Sequence, residues 1–152
     1  MNIEDQRSRL GPRVIDSLYV EAMLLADEAR AYFDHRGRDE RKSLSGILQV
    51  GFSCESLKVT TRLMHVVAWL MTQRAVEAGD LSRTEELAPK RRLAPAAESD
   101  EELLPQLPQA ARDIIAASCE LYARVERIDG SEGESSSGSP ARSLITRLER
   151  SF

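Results

Sequence analysis

Few residues in this 152-residue chain could carry acid–base, nucleophilic or metal chemistry: His35, His65, Cys54 and Cys119. A metal site built on one helix needs a second ligand three or four residues from the first. Around His65 those positions hold Thr61, Arg62, Ala68 and Trp69, and no H-E-x-x-H or E-x-x-H spacing occurs. The cysteines lack C-x-x-C spacing and read as reduced, packed thiols. Neither a phosphate-binding P-loop nor G-x-G-x-x-G is present. The pattern calls for no metal and no cofactor, and an enzyme is not expected.

Binding side chains are better represented. Between Leu44 and Ala78 there is no proline, and Gly79 closes the segment. Projected at 100° per residue it separates into rows. One row, Ile47, Val50, Cys54, Leu57, Thr61, Met64, Ala68, Met71 and Ala75, steps in threes and fours and is expected to face the core. Nearly opposite lie Glu55, Lys58, Arg62, His65, Trp69 and Gln73, where the chain's single tryptophan stands among charged residues. Trp and Arg concentrate at interface hot spots, so Glu55, Lys58, Arg62, His65 and Trp69 are expected to dock a partner protein. Leu63, Val66, Val67 and Leu70 make the segment apolar almost all round, which calls for cover on several sides and makes a homodimer contact attractive.

The elements that must position these rows are helices. Seven aromatic residues are few for a sheet protein. Ile15, Leu18, Ala22, Leu25, Ala29 and Tyr32 form a helical stripe, with Pro12 suited to a first turn and Gly37 to a terminus, so helix one is placed at 12–34. Arg38–Lys42 reads as a charged connection and Ser43 as an N-cap. The long helix is placed at 44–78, a rod of roughly 50 Å. Gly46 and Gly51 each cost about 1 kcal/mol relative to Ala and weaken its first turns. Ser82-Arg83-Thr84-Glu85 matches a capping box, and 88–106, broken by prolines, reads as a surface connection. Ala111, Ile114, Ser118, Leu121, Val125 and Ile128 place the third helix at 108–128.

Nine of the eleven residues from Gly130 to Pro140 are Gly, Ser or Pro, so 129–142 is expected to be a flexible linker. It leads to 143–152, where Leu144, Ile145, Leu148 and Phe152 share one helical face beside Arg147 and Arg150. This resembles a helix-in-groove ligand on a tether. The expected architecture is all-α: a three-helix bundle over 1–128 with one long central helix, then a flexible C-terminal tail.

Charge narrows the partners. The net charge of −4 argues against an electrostatic grip on nucleic acid or acidic membranes. Lys90-Arg91-Arg92 is short, borders an acidic run and has no interleaved aromatic residue. A DNA-associated regulator using that loop or the basic tail is the alternative reading, and a small helical enzyme the weakest. The polar N-terminus has no signal-peptide run, and nine apolar-rich residues at Leu63–Met71 fall short of the about 20 needed to span a bilayer. A cytoplasmic location is expected.

The run Glu55-Ser56-Leu57-Lys58-Val59-Thr60-Thr61-Arg62-Leu63-Met64, continued by Ala68-Trp69-Leu70 and Gln73-Arg74-Ala75-Val76, resembles the long helix of the regulator of CtrA degradation family of alphaproteobacteria. Ala31-Tyr32-Phe33, Gly37-Arg38 and Glu77-Ala78-Gly79-Asp80 extend the likeness over 17–82. The resemblance implies a three-helix bundle, often dimeric, that acts as a non-enzymatic adaptor. It implies delivery of cell-cycle regulators and other cargo to the ClpXP protease with a response-regulator-type partner, often near a cell pole. It supplies no binding residues; the candidates above come from the helical projection.

Overall fold

The computed structural model describes residues 3–82 and 92–137, with side chains over 11–82 and 92–130. Helix α1 spans Ile3–Asp34, α2 Arg36–Lys42, α3 Gly46–Glu77 and α4 Gln109–Ser137, with a 3₁₀ turn at Leu104–Gln106. No strand occurs among the described residues. The fold is all-α, and the described residues form three long helices and one short one.

The stripe read on the first helix is the one that packs: Ile15, Leu18, Ala22, Leu25, Ala29 and Tyr32 are all buried. They meet Phe52, Val59, Leu63, Val66 and Leu70 of α3 and Ala111, Ile114, Ile115, Leu121 and Val125 of α4. Helices α1 and α3 run antiparallel. Asp16 pairs with Arg74 at one end, and the Phe33 and Phe52 rings stack edge-on at 5.6 Å at the other. Helix α4 runs parallel to α3, with Ser118 beside Arg62 and Asp129 beside Trp69. A parallel pair requires a crossover, and here 78–108 makes it.

Four expectations need correction. Helix α1 begins at Ile3 and carries Pro12 inside it; a proline removes one ladder hydrogen bond but does not oblige a helix to start there. The charged residues after Gly37 are helical, not a connection. This short helix is fastened to its neighbours: the Tyr32 hydroxyl donates to Glu40 and Arg41 Nε donates to Ser53 Oγ at 2.8 Å. Gly37 allows the close approach, since a Cβ there would lie 2.8 Å from the Tyr32 carbonyl oxygen. The cap of α3 is Ser45, not Ser43. Finally, α4 continues through 129–137, nine of the fourteen residues of the expected linker, to Ser137. Propagating an existing helix adds one hydrogen bond per residue fixed, so low intrinsic propensity does not stop it at once.

Helix α3 ends where expected, with Gly79 at φ +81° accepting the left-handed terminal conformation. Gly51 has a packing role: Leu103 of the crossover sits over it, its Cδ2 2.4 Å from where a Cβ would stand. The segment 92–108 runs over the surface, as expected, but is anchored to the bundle. Leu93, Leu103 and Leu104 pack against the core and Leu107 is buried within it. Residues 83–85 of the capping box, Lys90, Arg91 and the tail at 143–152 lie outside the described residues.

Candidate docking surface on the long helix

Helix α3 has two opposite sides, and the structure assigns them the reverse of the roles expected from the projection. Glu55, Arg62, Trp69 and Gln73 are buried, Trp69 to 2% exposure and Glu55 to 1%. Lys58 and His65 are half-buried at the edge of the same row. As docking residues Glu55, Arg62 and Trp69 are therefore withdrawn, because the crossover and α4 already cover them; Lys58 and His65 keep part of their surface in solvent.

Backbone satisfaction explains why polar groups lie inside. The crossover is partly exposed, with only Leu107 of its described residues buried; where it lies against α3, polar side chains of α3 bond its backbone and hydroxyl groups. The Arg62 guanidinium donates to Ala97 O at 3.0 Å, Ser99 Oγ at 2.9 Å and Ser118 Oγ at 3.2 Å. Glu55 Oε1 accepts the Asp100 N–H at 3.0 Å and Lys58 Nζ at 2.9 Å. Burial alone would raise the Glu55 carboxyl. The Asp100 N–H, the Ser99 hydroxyl and Lys58 outweigh it and hold the group below the usual carboxylate range. Trp69 Nε1 donates to Asp129 Oδ1 at 3.0 Å. The same carboxylate oxygen accepts Arg92 Nε at 2.8 Å, and Tyr122 donates its hydroxyl proton to Ala94 O at 2.7 Å. Of the basic triplet, Arg92 is thus held in an ion pair with Asp129.

The other side of α3 is open. Ile47 is 85% exposed and Leu57 66%; Val50, Met64 and Met71 are exposed to a similar degree. Cys54 and Ala68 stand in the same row, exposed. From Gly46 to Met71 every exposed residue of α3 is uncharged. Isolated exposed apolar residues are ordinary, but a contiguous apolar strip marks an interaction surface. Where the strip turns toward α1, it borders a groove of about 790 Å³. Ala26, Ala29 and Phe33 form one wall of the groove and Leu63, Met64, Val67 and Met71 the other. The arrangement can bury apolar surface from a partner at about 25 cal/mol per Å².

The stripe itself was legible: steps of three and four hold without exception from Ile47 to Ala75. The buried stripes of α1 and α4 keep the same steps, so spacing alone does not tell an outward seam from a core face. Leu144, Ile145, Leu148 and Phe152 lie outside the described residues. Among the described residues no group of His, Cys, Asp or Glu could hold a metal ion. No described helix is long and apolar enough to cross a membrane.

Fold and surface together define an all-α bundle whose distinctive exposed feature is an uncharged apolar seam. The chain belongs to the bacterial family described as Protein of unknown function (DUF1465), whose family model matches residues 6–152. Its structure is similar to the crystal structure of RcdA from Caulobacter crescentus CB15, at 35% sequence identity and a TM-score of 0.63. That similarity covers 78% of this chain and 89% of the Caulobacter protein, in agreement with the likeness read from the long helix to the regulator of CtrA degradation family. A search of curated proteins finds no match.

Proposed function

We propose that this protein is a non-enzymatic adaptor that delivers cell-cycle regulators or other cargo to the ClpXP protease, alongside a response-regulator-type partner. The observation that carries the reading is the uncharged seam Ile47–Met71 on α3, taken with the similarity to RcdA over most of both chains. An adaptor acts by raising local concentration, and a surface of this kind serves that end without any reacting group. The seam's strict heptad spacing also fits a second copy of the chain, so homodimerisation through α3 forms part of the proposal.

The test is reconstitution. Purified protein added to ClpXP, the response-regulator partner and a candidate cargo is expected to accelerate cargo loss, and Leu57→Asp combined with Met64→Asp is expected to abolish the acceleration. Unchanged cargo half-lives across a panel of cell-cycle regulators would sink the adaptor reading. For the dimer, sedimentation equilibrium should show self-association that the same double variant removes; a wild-type monomer throughout would refute it.

A further inference from the structure

Glu55 and Arg62 present no open face, yet they hold a segment in the way a protein holds a bound peptide. Residues 93–100, Leu-Ala-Pro-Ala-Ala-Glu-Ser-Asp, form neither helix nor strand, and none of them is buried. No backbone–backbone hydrogen bond joins 92–99 to any described residue. The ties run instead to side chains of α3 and α4. Asp129 Oδ2 accepts the Leu93 N–H at 3.4 Å, and the Tyr122 hydroxyl donates to Ala94 O. Arg62 donates to Ala97 O and Ser99 Oγ, and Glu55 accepts the Asp100 N–H.

We propose that this α3–α4 face is a binding site for an extended, proline-containing segment of small residues. In the free chain residues 93–100 fill it, and a segment of the same kind from a partner protein replaces them.

The register of the bonds supports the first half. The groups held at Ala94, Ala97 and Asp100 stand three residues apart, the repeat of a polyproline II segment, and Pro95 lies among them. Such segments are preformed and lose little entropy on binding. Pro95, Ala97 and Glu98 are exposed, so the face reads backbone position rather than side-chain identity, and a foreign sequence can offer the same groups. The way the crossover is anchored supports the second half. From Leu103 onward it is fastened by apolar contact, with Leu103 over Gly51 and Leu107 in the core. Before that point the ties are mainly polar, and Glu55, Arg62 and Asp129 regain water when the segment leaves. A stretch with so little buried apolar surface opens ahead of the bundle. The site does not depend on the adaptor reading; only the identification of the incoming segment as cargo does.

The test uses the full chain and a fluorescein-labelled peptide of residues 92–102, followed by anisotropy. Arg92→Glu sets a carboxylate against Asp129, and Asp100→Pro removes the N–H that Glu55 accepts. The double variant is expected to keep wild-type helicity and to bind the peptide roughly tenfold or more tighter than wild type, whose own segment competes at an effective concentration of about millimolar. A peptide N-methylated at the Asp100 amide should bind the variant roughly tenfold more weakly, because it lacks the donor to the Glu55 carboxylate. No binding to the variant, equal affinity for variant and wild type, or indifference to N-methylation each overturns the proposal. If the variant loses helicity, hydrogen exchange of the wild type decides: the Leu93 and Asp100 amides should exchange roughly tenfold or more faster than those of Val59 and Val66 in α3. Exchange of all four only through global unfolding overturns the proposal. Peptide binding that holds while cargo delivery fails counts against the adaptor reading alone.

Discussion

The two sides of α3 depart from the usual amphipathic arrangement: polar residues stand among Phe52, Val59, Leu63, Val66 and Leu70 inside, and apolar ones line the outside. The inward side carries Glu55, Arg62, Trp69 and Gln73; the outward side, from Gly46 to Met71, carries no charge at all. Polarity is tolerated inside where a neighbouring segment has backbone groups to satisfy, and apolarity is retained outside where a surface is built to be covered. Burial in this bundle is decided by partners as much as by hydropathy.

That contrast can be broken experimentally. The largest effect is expected on the inward side: Arg62→Ala removes the donor that Ala97 O, Ser99 Oγ and Ser118 Oγ share and opens a cavity, and urea denaturation should show a loss of about 3 kcal/mol. Trp69→Phe keeps most of the volume but removes the bond to Asp129. Because Arg92 still holds that carboxylate, the expected loss is smaller, about 1–2 kcal/mol by the same measurement.

Glu55 adds a pH signature. Its carboxyl is held below the usual range in the folded state, so the stability it confers is present above the unfolded pKa of about 4.3 and is lost as pH falls through the folded value. Replacing it with glutamine should therefore lower stability at neutral pH and flatten the acid limb of a pH–stability curve; an unchanged limb would contradict the assignment. Smallest in stability, and sharpest as a comparison, is the outward side. Leu57→Asp and Met64→Asp should each change unfolding free energy by no more than about 0.5 kcal/mol, while weakening self-association in sedimentation. If they destabilise the chain as much as Arg62→Ala does, the seam is core after all and the contrast fails.

Much of the fold was legible before the structure, for a physical reason. The stripes of α1 and α4 each have one apolar side, so period alone orients them, and Ile15 through Tyr32 and Ala111 through Val125 pack as read. Helix α3 is apolar on two sides. Its period gives the helix but not its orientation, and counting apolar residues chose the wrong side. What fixes the orientation is the crossover, whose Ala97, Ser99 and Asp100 need Arg62 and Glu55. Such pairings join residues 35 to 45 positions apart and leave no local pattern. The helicity of 129–137 was missed because glycine and serine content speaks to propensity alone and not to an adjoining helix already formed.

The crossover also sets an order of assembly. Helices α1 and α3 are neighbours in sequence, joined through the short α2, so their docking closes only a small loop. Attaching α4 parallel to α3 closes separations of 56 residues at Arg62–Ser118, 60 at Trp69–Asp129 and 103 at Glu21–Arg124. Loop-closure entropy and the dependence of folding speed on contact order place these contacts late. Pulse-labelled hydrogen exchange during refolding is expected to protect the α1–α3 amides before those of α4. A nascent chain emerging from the ribosome would then carry the α1–α3 hairpin, with its seam exposed, before the polar side of α3 is sealed.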